Sequence, residues 1–212
     1  MRWLVAIVAI TVLNGSAAAR KKIVIMEPAL AMACPSAPSW PQVLDCLKKH
    51  NLSATIVGTL DGAKLISVQD ATVKSSEIEA FALYTQTGKA WILGGLLQQG
   101  GVVADLDILR FERVTSAGKN GYRFDLAMTQ PSAISMDGVT SVPSVYRTLM
   151  ATFCGGTSYH CMTITPQCSS IVFGQTVQMF AGSLVIHDGT ISVKGFGTVP
   201  SCSAAGEYSL GF

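Results

Sequence analysis

Six cysteines carry the clearest chemistry in the chain: Cys34, Cys46, Cys154, Cys161, Cys168 and Cys202. Their thiolates could ligate zinc, but no C-x-x-C pair occurs, and Cys154, Cys161 and Cys168 follow one another at intervals of seven with only His160 beside them. Zinc sites use tighter ligand pairs than that. An even cysteine count behind an export-type leader points instead to disulfides formed in an oxidising compartment. The cysteines fall into two clusters, 34/46 and 154/161/168/202, which predicts a Cys34–Cys46 bridge and two further bridges in the C-terminal part. Oxidised sulfur is no nucleophile, so a Cys–His reading of His160-Cys161 fails.

The other titratable groups are scattered. His50 falls at the end of a predicted helix, and His187 just before a predicted turn, on its solvent side. Three separated histidines lack the spacing and carboxylate support of a metal site. Asp105 and Asp107 share one strand face, with Glu112 and Asp125 near them. Like charges so placed could raise a pKa for acid–base work or hold calcium. Arg110, Arg113 and Arg123 lie among them, however, and no Asp-x-Asp-x-Asp-Gly loop occurs, so a salt-bridged exposed face is the expectation. No Gly-x-Ser-x-Gly elbow is present, and Gly94-Gly95 and Gly100-Gly101 lack the helix and lysine of a phosphate loop. No catalytic residue, cofactor or metal is assigned on these grounds.

The leader explains the compartment. Arg2 supplies one charge, Leu4 to Leu13 an apolar stretch, and Ala17-Ala18-Ala19 small residues at the recognised positions, so residues 1–19 read as a signal peptide cleaved before Arg20. The stretch is too short for the ~20 apolar residues that span a bilayer, and no later segment qualifies. Leu30-Ala31-Met32-Ala33-Cys34 loosely resembles a lipoprotein cleavage box, but it lies well past the apolar region, and Cys34 is expected to be an ordinary half-cystine. Charged residues make up only 13% of the chain, the net charge is +2, and the longest basic run is Arg20-Lys21-Lys22, which disfavours nucleic acid as a partner. The expectation is one exported β-rich domain over residues 20–212, secreted or periplasmic, with no integral membrane span after signal removal.

Several elements are legible. Ser39 as cap, Pro41 in the first turn, and Trp40, Val43, Leu44 and Leu47 at helical spacing predict a helix, closed by Lys48, Lys49 and His50 with Asn51 as C-cap. Thereafter short β-branched or aromatic runs alternate with glycine turns. Asp61-Gly62 and Asp188-Gly189 suit two-residue type I′ turns. A turn at Thr87-Gly88 would set Tyr84 opposite Trp91. Tyr122, Phe124, Leu126 and Met128 alternate with polar neighbours as one buried strand face. A tight turn at Asn120-Gly121 would oppose Arg113 and Met128, so a longer loop is expected before that strand. In the last hairpin, Ile186 should face Ile191 and Leu184 should face Val193. Val142 to Phe153 fits both periods, with Tyr146, Leu149, Met150 and Phe153 favouring a helix over the alternative strand alternation Val145-Arg147-Leu149-Ala151-Phe153.

These elements predict a mainly β fold, an antiparallel sandwich or barrel of about eight strands with one N-terminal helix and an optional second helix. Such a scaffold suits binding through a cavity or across loop ends, with an apolar molecule or a surface component as ligand. The expected function is therefore a disulfide-stabilised binding or envelope-associated module. An extracytoplasmic hydrolase whose active site is hidden by sequence order is the alternative.

Overall fold

The computed structural model describes residues 27–72, 80–98, 105–135, 141–155, 161–197 and 205–210. The leader, the cleavage site, His160 and Cys202 lie outside these residues. Two helices, α1 (Glu27–Ala33) and α2 (Trp40–Lys49), flank the two-residue strand β1 (Ser36–Ala37). Strands β2 (Leu52–Leu60), β3 (Ala63–Asp70), β4 (Ala80–Thr87) and β5 (Ala90–Gln98) complete a five-stranded antiparallel sheet in the order β1-β5-β4-β3-β2. A seven-stranded antiparallel sheet runs β12-β11-β10-β9-β8-β7-β6. Its strands are β6 (Asp105–Ser116), β7 (Lys119–Ser135), β8 (Ser141–Gly155), β9 (Cys161–Val172), β10 (Gln175–His187), β11 (Thr190–Gly197) and β12 (Gly206–Ser209). The fold is thus mainly β and sandwich-like, with no closed barrel and with twelve strands among the described residues where about eight were expected.

Three cores account for the layering. Helices α1 and α2 cover one face of the five-stranded sheet through Leu30, Val43 and Leu47 against Ile66, Val68 and Tyr84. The other face of that sheet meets the seven-stranded sheet, where Leu65, Phe81 and Leu83 pack on Phe124, Leu126, Met128 and Met150. The third core is made by the larger sheet folding over itself. Strand β10 pairs with β9 only as far as Ala181, while its pairing with β11 continues to His187. Beyond Ala181 it is free to leave β9, and Gly189 at its tip lies against Ala117 of the β6–β7 turn. Val114, Ala151, Phe153 and Ile164 are enclosed there by Phe180, Ile191 and Val193.

Helix α2 forms where periodicity predicts it, with Ser39 at its N-cap and Pro41 in its first turn. The Ser39 hydroxyl donates to Gln42 Oε1 at 2.8 Å and makes no capping bond to the backbone. His50 is the C-cap, and Asn51 follows in the left-handed region at φ +58, a conformation asparagine tolerates better than most residues. Trp40 stands edge-on to Tyr84 at 6.0 Å and to Trp91 at 5.3 Å, with Lys64 Nζ over both indoles at 5.4 and 5.5 Å. The Tyr84 hydroxyl donates to the Cys34 carbonyl at 2.7 Å, and burial raises its pKa.

The turns correct several registers. Tyr84 pairs with Leu93, and Trp91 with Gln86, because the turn is Gly88-Lys89. Gly88 takes φ +61 at the first central position, as a type II′ turn requires, and that choice moves the pairing by one residue on each strand. Asp61-Gly62 does join β2 to β3, but of the two only Gly62 has positive φ, so the turn is not type I′. Instead of a longer loop, β6 and β7 share a two-residue turn at Ala117-Gly118, with φ +51 and +75. Asn120 stays in the strand, where its Oδ1 accepts from Thr115 Oγ1, and Arg113 opposes Tyr122. Val142 to Phe153 is strand, not helix, lying inside β8, and the second helix is α1.

The last hairpin has the register predicted for it, with Ile186 opposite Ile191 and Leu184 opposite Val193. Asp188 and Gly189 both have positive φ, at +44 and +80. Gly189→Val should therefore destabilise by ~1–3 kcal/mol through backbone strain. His187→Ala should stay within about 0.5 kcal/mol of wild type, as exposed substitutions usually do. Urea unfolding of the two variants measures the contrast, and equal effects would refute it.

Candidate functional site

Backbone pairing brings the expected carboxylate cluster together as a compensated network. Asp125 on β7 accepts from Arg123 Nε and an Arg123 terminal nitrogen at 2.7 and 2.8 Å, a bidentate pair. Arg110 lies 3.5 Å from Asp125 and 3.2 Å from Glu112, and Glu112 lies 3.9 Å from Arg123. A bulge between Ile108 and Arg110 places Arg110 opposite Asp125, which closes the network. Arg123 also stacks over Phe153 at 5.6 Å. Carboxylates so engaged by guanidinium groups have no spare base for proton transfer, so the arrangement is that of a structural salt-bridge face. Asp107 is exposed on the same strand, and the Asp105 side chain lies outside the described residues.

The histidines do not converge with this network. His187 Nε2 is 2.9 Å from its sequence neighbour Asp188, but both side chains are 83% exposed at a hairpin tip, where no substrate could be enclosed. His50 comes within 4.8 Å of Cys34 and Cys46, yet those sulfurs are joined in a disulfide and are not thiolate ligands. The second described bridge is Cys154–Cys161, which ties β8 to β9. Cys168 is also disulfide-bonded, to a partner outside the described residues.

The feature not read from sequence is an exposed face of β8, β9 and β10. Three cross-strand rows build it: Leu149–Gln167–Ala181, Arg147–Ser169–Met179 and Val145–Ile171–Thr176. Alternation along β8 puts Val145, Arg147 and Leu149 on one side, while Ser144 and Thr148 on the other are buried. Two open hollows of about 320 and 420 Å³ lie along the face, and Arg147 lines both. The first is walled by Leu109, Leu149 and Met179, the second by Pro143, Val145, Ile171 and Phe173. Val145, Met179, Leu109 and Phe173 all stand exposed.

The four arginines on the described strands differ in their partners. Arg110 and Arg123 belong to the carboxylate network, and Arg113 donates to the Asp61 carbonyl across the two sheets. Arg147 makes no ion pair and no side-chain hydrogen bond among the described residues. It is an exposed cation flanked by apolar side chains, an arrangement that can take an anion bonded bidentately to the guanidinium fork. The sequence signal was present in the Val145-Arg147-Leu149 alternation, which marks Arg147 as sharing a strand face with two apolar residues. No family model, no curated protein and no solved structure matches the chain.

Proposed function

We propose that residues 20–212 form one exported module, secreted or periplasmic, which binds its ligand on the outer face of β8–β10 without transforming it. The observation that carries this reading is the contrast between two surfaces. Among the described residues Asp125 and Glu112 are engaged by arginine, Asp107 stands exposed on its strand and His187 is isolated at an exposed tip, whereas the β8–β10 face offers contiguous apolar side chains to solvent. Exposed apolar patches of this kind on a folded domain mark interaction sites. The leader pattern and two described disulfides support the compartment, and no helix among the described residues is long and apolar enough to cross a membrane.

A neutral apolar dye such as Nile red should bind the wild-type protein and gain fluorescence. Val145→Glu and Met179→Glu, both at exposed positions, should each lower that binding several-fold with the melting temperature nearly unchanged. Undiminished dye binding in both variants would remove the face from the proposal. Turnover of ester, glycoside or peptide substrates that is abolished by one substitution at Asp107, Asp125 or His187 would establish the hydrolase instead.

A further inference from the structure

Resting on that reading, we propose that the β8–β10 face takes a single-chain carboxylate amphiphile, with its acid group on Arg147 and its chain in the hollow lined by Val145, Ile171 and Phe173. Arg147 is the described arginine without an ion pair or side-chain hydrogen bond, and it stands where the two hollows meet. A ligand anchored there has its charge fixed at one end of an apolar trough. Neither hollow is lined by a second cation. One guanidinium matches one carboxylate with two parallel hydrogen bonds, whereas a phosphate dianion would keep uncompensated charge beside Val145 and Ile171.

Phe173 supports the placement of the chain. It occupies the first central position of the β9–β10 turn with φ +49, followed by Gly174 at +80, and 92% of its surface is exposed. Such a turn position is ordinarily held by Asn, Asp or Gly, and a bulky aromatic there is an outlier for backbone and solvation alike. As a wall of the second hollow, the ring can close over an alkyl chain lying along Val145 and Ile171. The residue then exchanges local stability for contact with ligand.

Calorimetric titration of the intact exported protein with carboxylates of eight, ten and twelve carbons, below their micellar concentrations, tests this. Affinity should rise with chain length by up to roughly fourfold per methylene, the increment expected for burial of each group. Decanoate should bind up to about fivefold tighter than decanol, because the alcohol offers the exposed Arg147 no charge. Arg147→Met should erase that preference while leaving Nile red binding in place. Phe173→Asn, which suits the turn, should weaken decanoate binding without lowering the melting temperature.

Equal affinity for acid and alcohol, or decanoate binding unchanged in Arg147→Met, would overturn the carboxylate proposal while the apolar-face reading stands. Loss of Nile red binding in wild type would remove both. Association with phosphatidylcholine or phosphatidylglycerol vesicles, with no affinity for the monomeric acids, would also overturn the proposal and assign the face to a membrane surface.

Discussion

Phe124→Ala is expected to lower the unfolding free energy by about 3–5 kcal/mol, the range for truncating a fully buried phenylalanine. Phe124 has no exposed surface, and it sits centrally on β7 between Tyr122 and Leu126 on the inward side. Across the sandwich its ring meets Phe81 at 6.2 Å with an interplanar angle of 47°. Leu65, Leu83, Leu126 and Met150 complete the same core, so the removed ring leaves a space bounded by two hydrogen-bonded sheets. Neither sheet can collapse into it without breaking ladder bonds, which is why the cost belongs to the upper part of the range. Urea unfolding should show a lower midpoint at unchanged slope. Leu109→Ala is the control: Leu109 is 60% exposed at the β6 bulge and should cost well under 1 kcal/mol. Comparable losses in the two variants would mean that the space between the sheets is not the dominant core.

The difference between what could and could not be read beforehand follows from burial and turn type. Strand β7 is legible because Tyr122, Phe124, Leu126 and Met128 face the core while Arg123 and Asp125 face the salt-bridge network, so polarity alternates with a period of two. The β10–β11 hairpin is legible because an Asp-Gly turn fixes the register that also aligns its apolar residues. Strand β8 is not. Its upper half is buried on both sides, with Met150 and Cys154 in the inter-sheet core and Ala151 and Phe153 in the fold-over core. Apolar residues on both faces erase the alternation, and Tyr146, Leu149, Met150 and Phe153 then imitate helical spacing.

The candidate site was hidden for a different reason. Arg147 acquires its surroundings from Ser169, Ile171 and Met179, which reach it only through β8–β9 and β9–β10 pairing. Sequence spacing within β8 shows that it shares a face with Val145 and Leu149, but not that no carboxylate is paired with it. The carboxylate network shows the complementary case. Arginines close in sequence to Asp125 and Glu112 announced the salt bridges, and only the bulge before Arg110 was needed to complete them.

Reduction of the disulfides should have a still larger effect than any single core truncation. In the chain-entropy account, closing the loop between Cys34 and Cys46 stabilises by about 3 kcal/mol and closing that between Cys154 and Cys161 by about 2.5 kcal/mol. Each bridge also holds packing in place. Cys34 is buried beneath the helices, and its carbonyl accepts the Tyr84 hydroxyl. A Cβ at Gly95 on β5 would stand 2.7 Å from Cys154 Cβ and 2.8 Å from Cys161 Sγ, so the backbone of one sheet rests directly on the bridge of the other. Cys168 is bridged as well, to a partner outside the described residues, and Cys202 is the expected third-bridge partner because it completes the six cysteines. Closure of that longer loop would contribute about 4 kcal/mol. The sum, about 9.5 kcal/mol, falls within the ~5–15 kcal/mol that stabilises an ordinary domain, so the fully reduced protein should be largely unfolded at 37 °C. Loss of β-type circular dichroism in reductant, together with three bridged peptide pairs in the unreduced digest, is the expected result. A reduced protein that keeps its spectrum and melts within a few degrees of the oxidised form would show that the three cores suffice without the bridges.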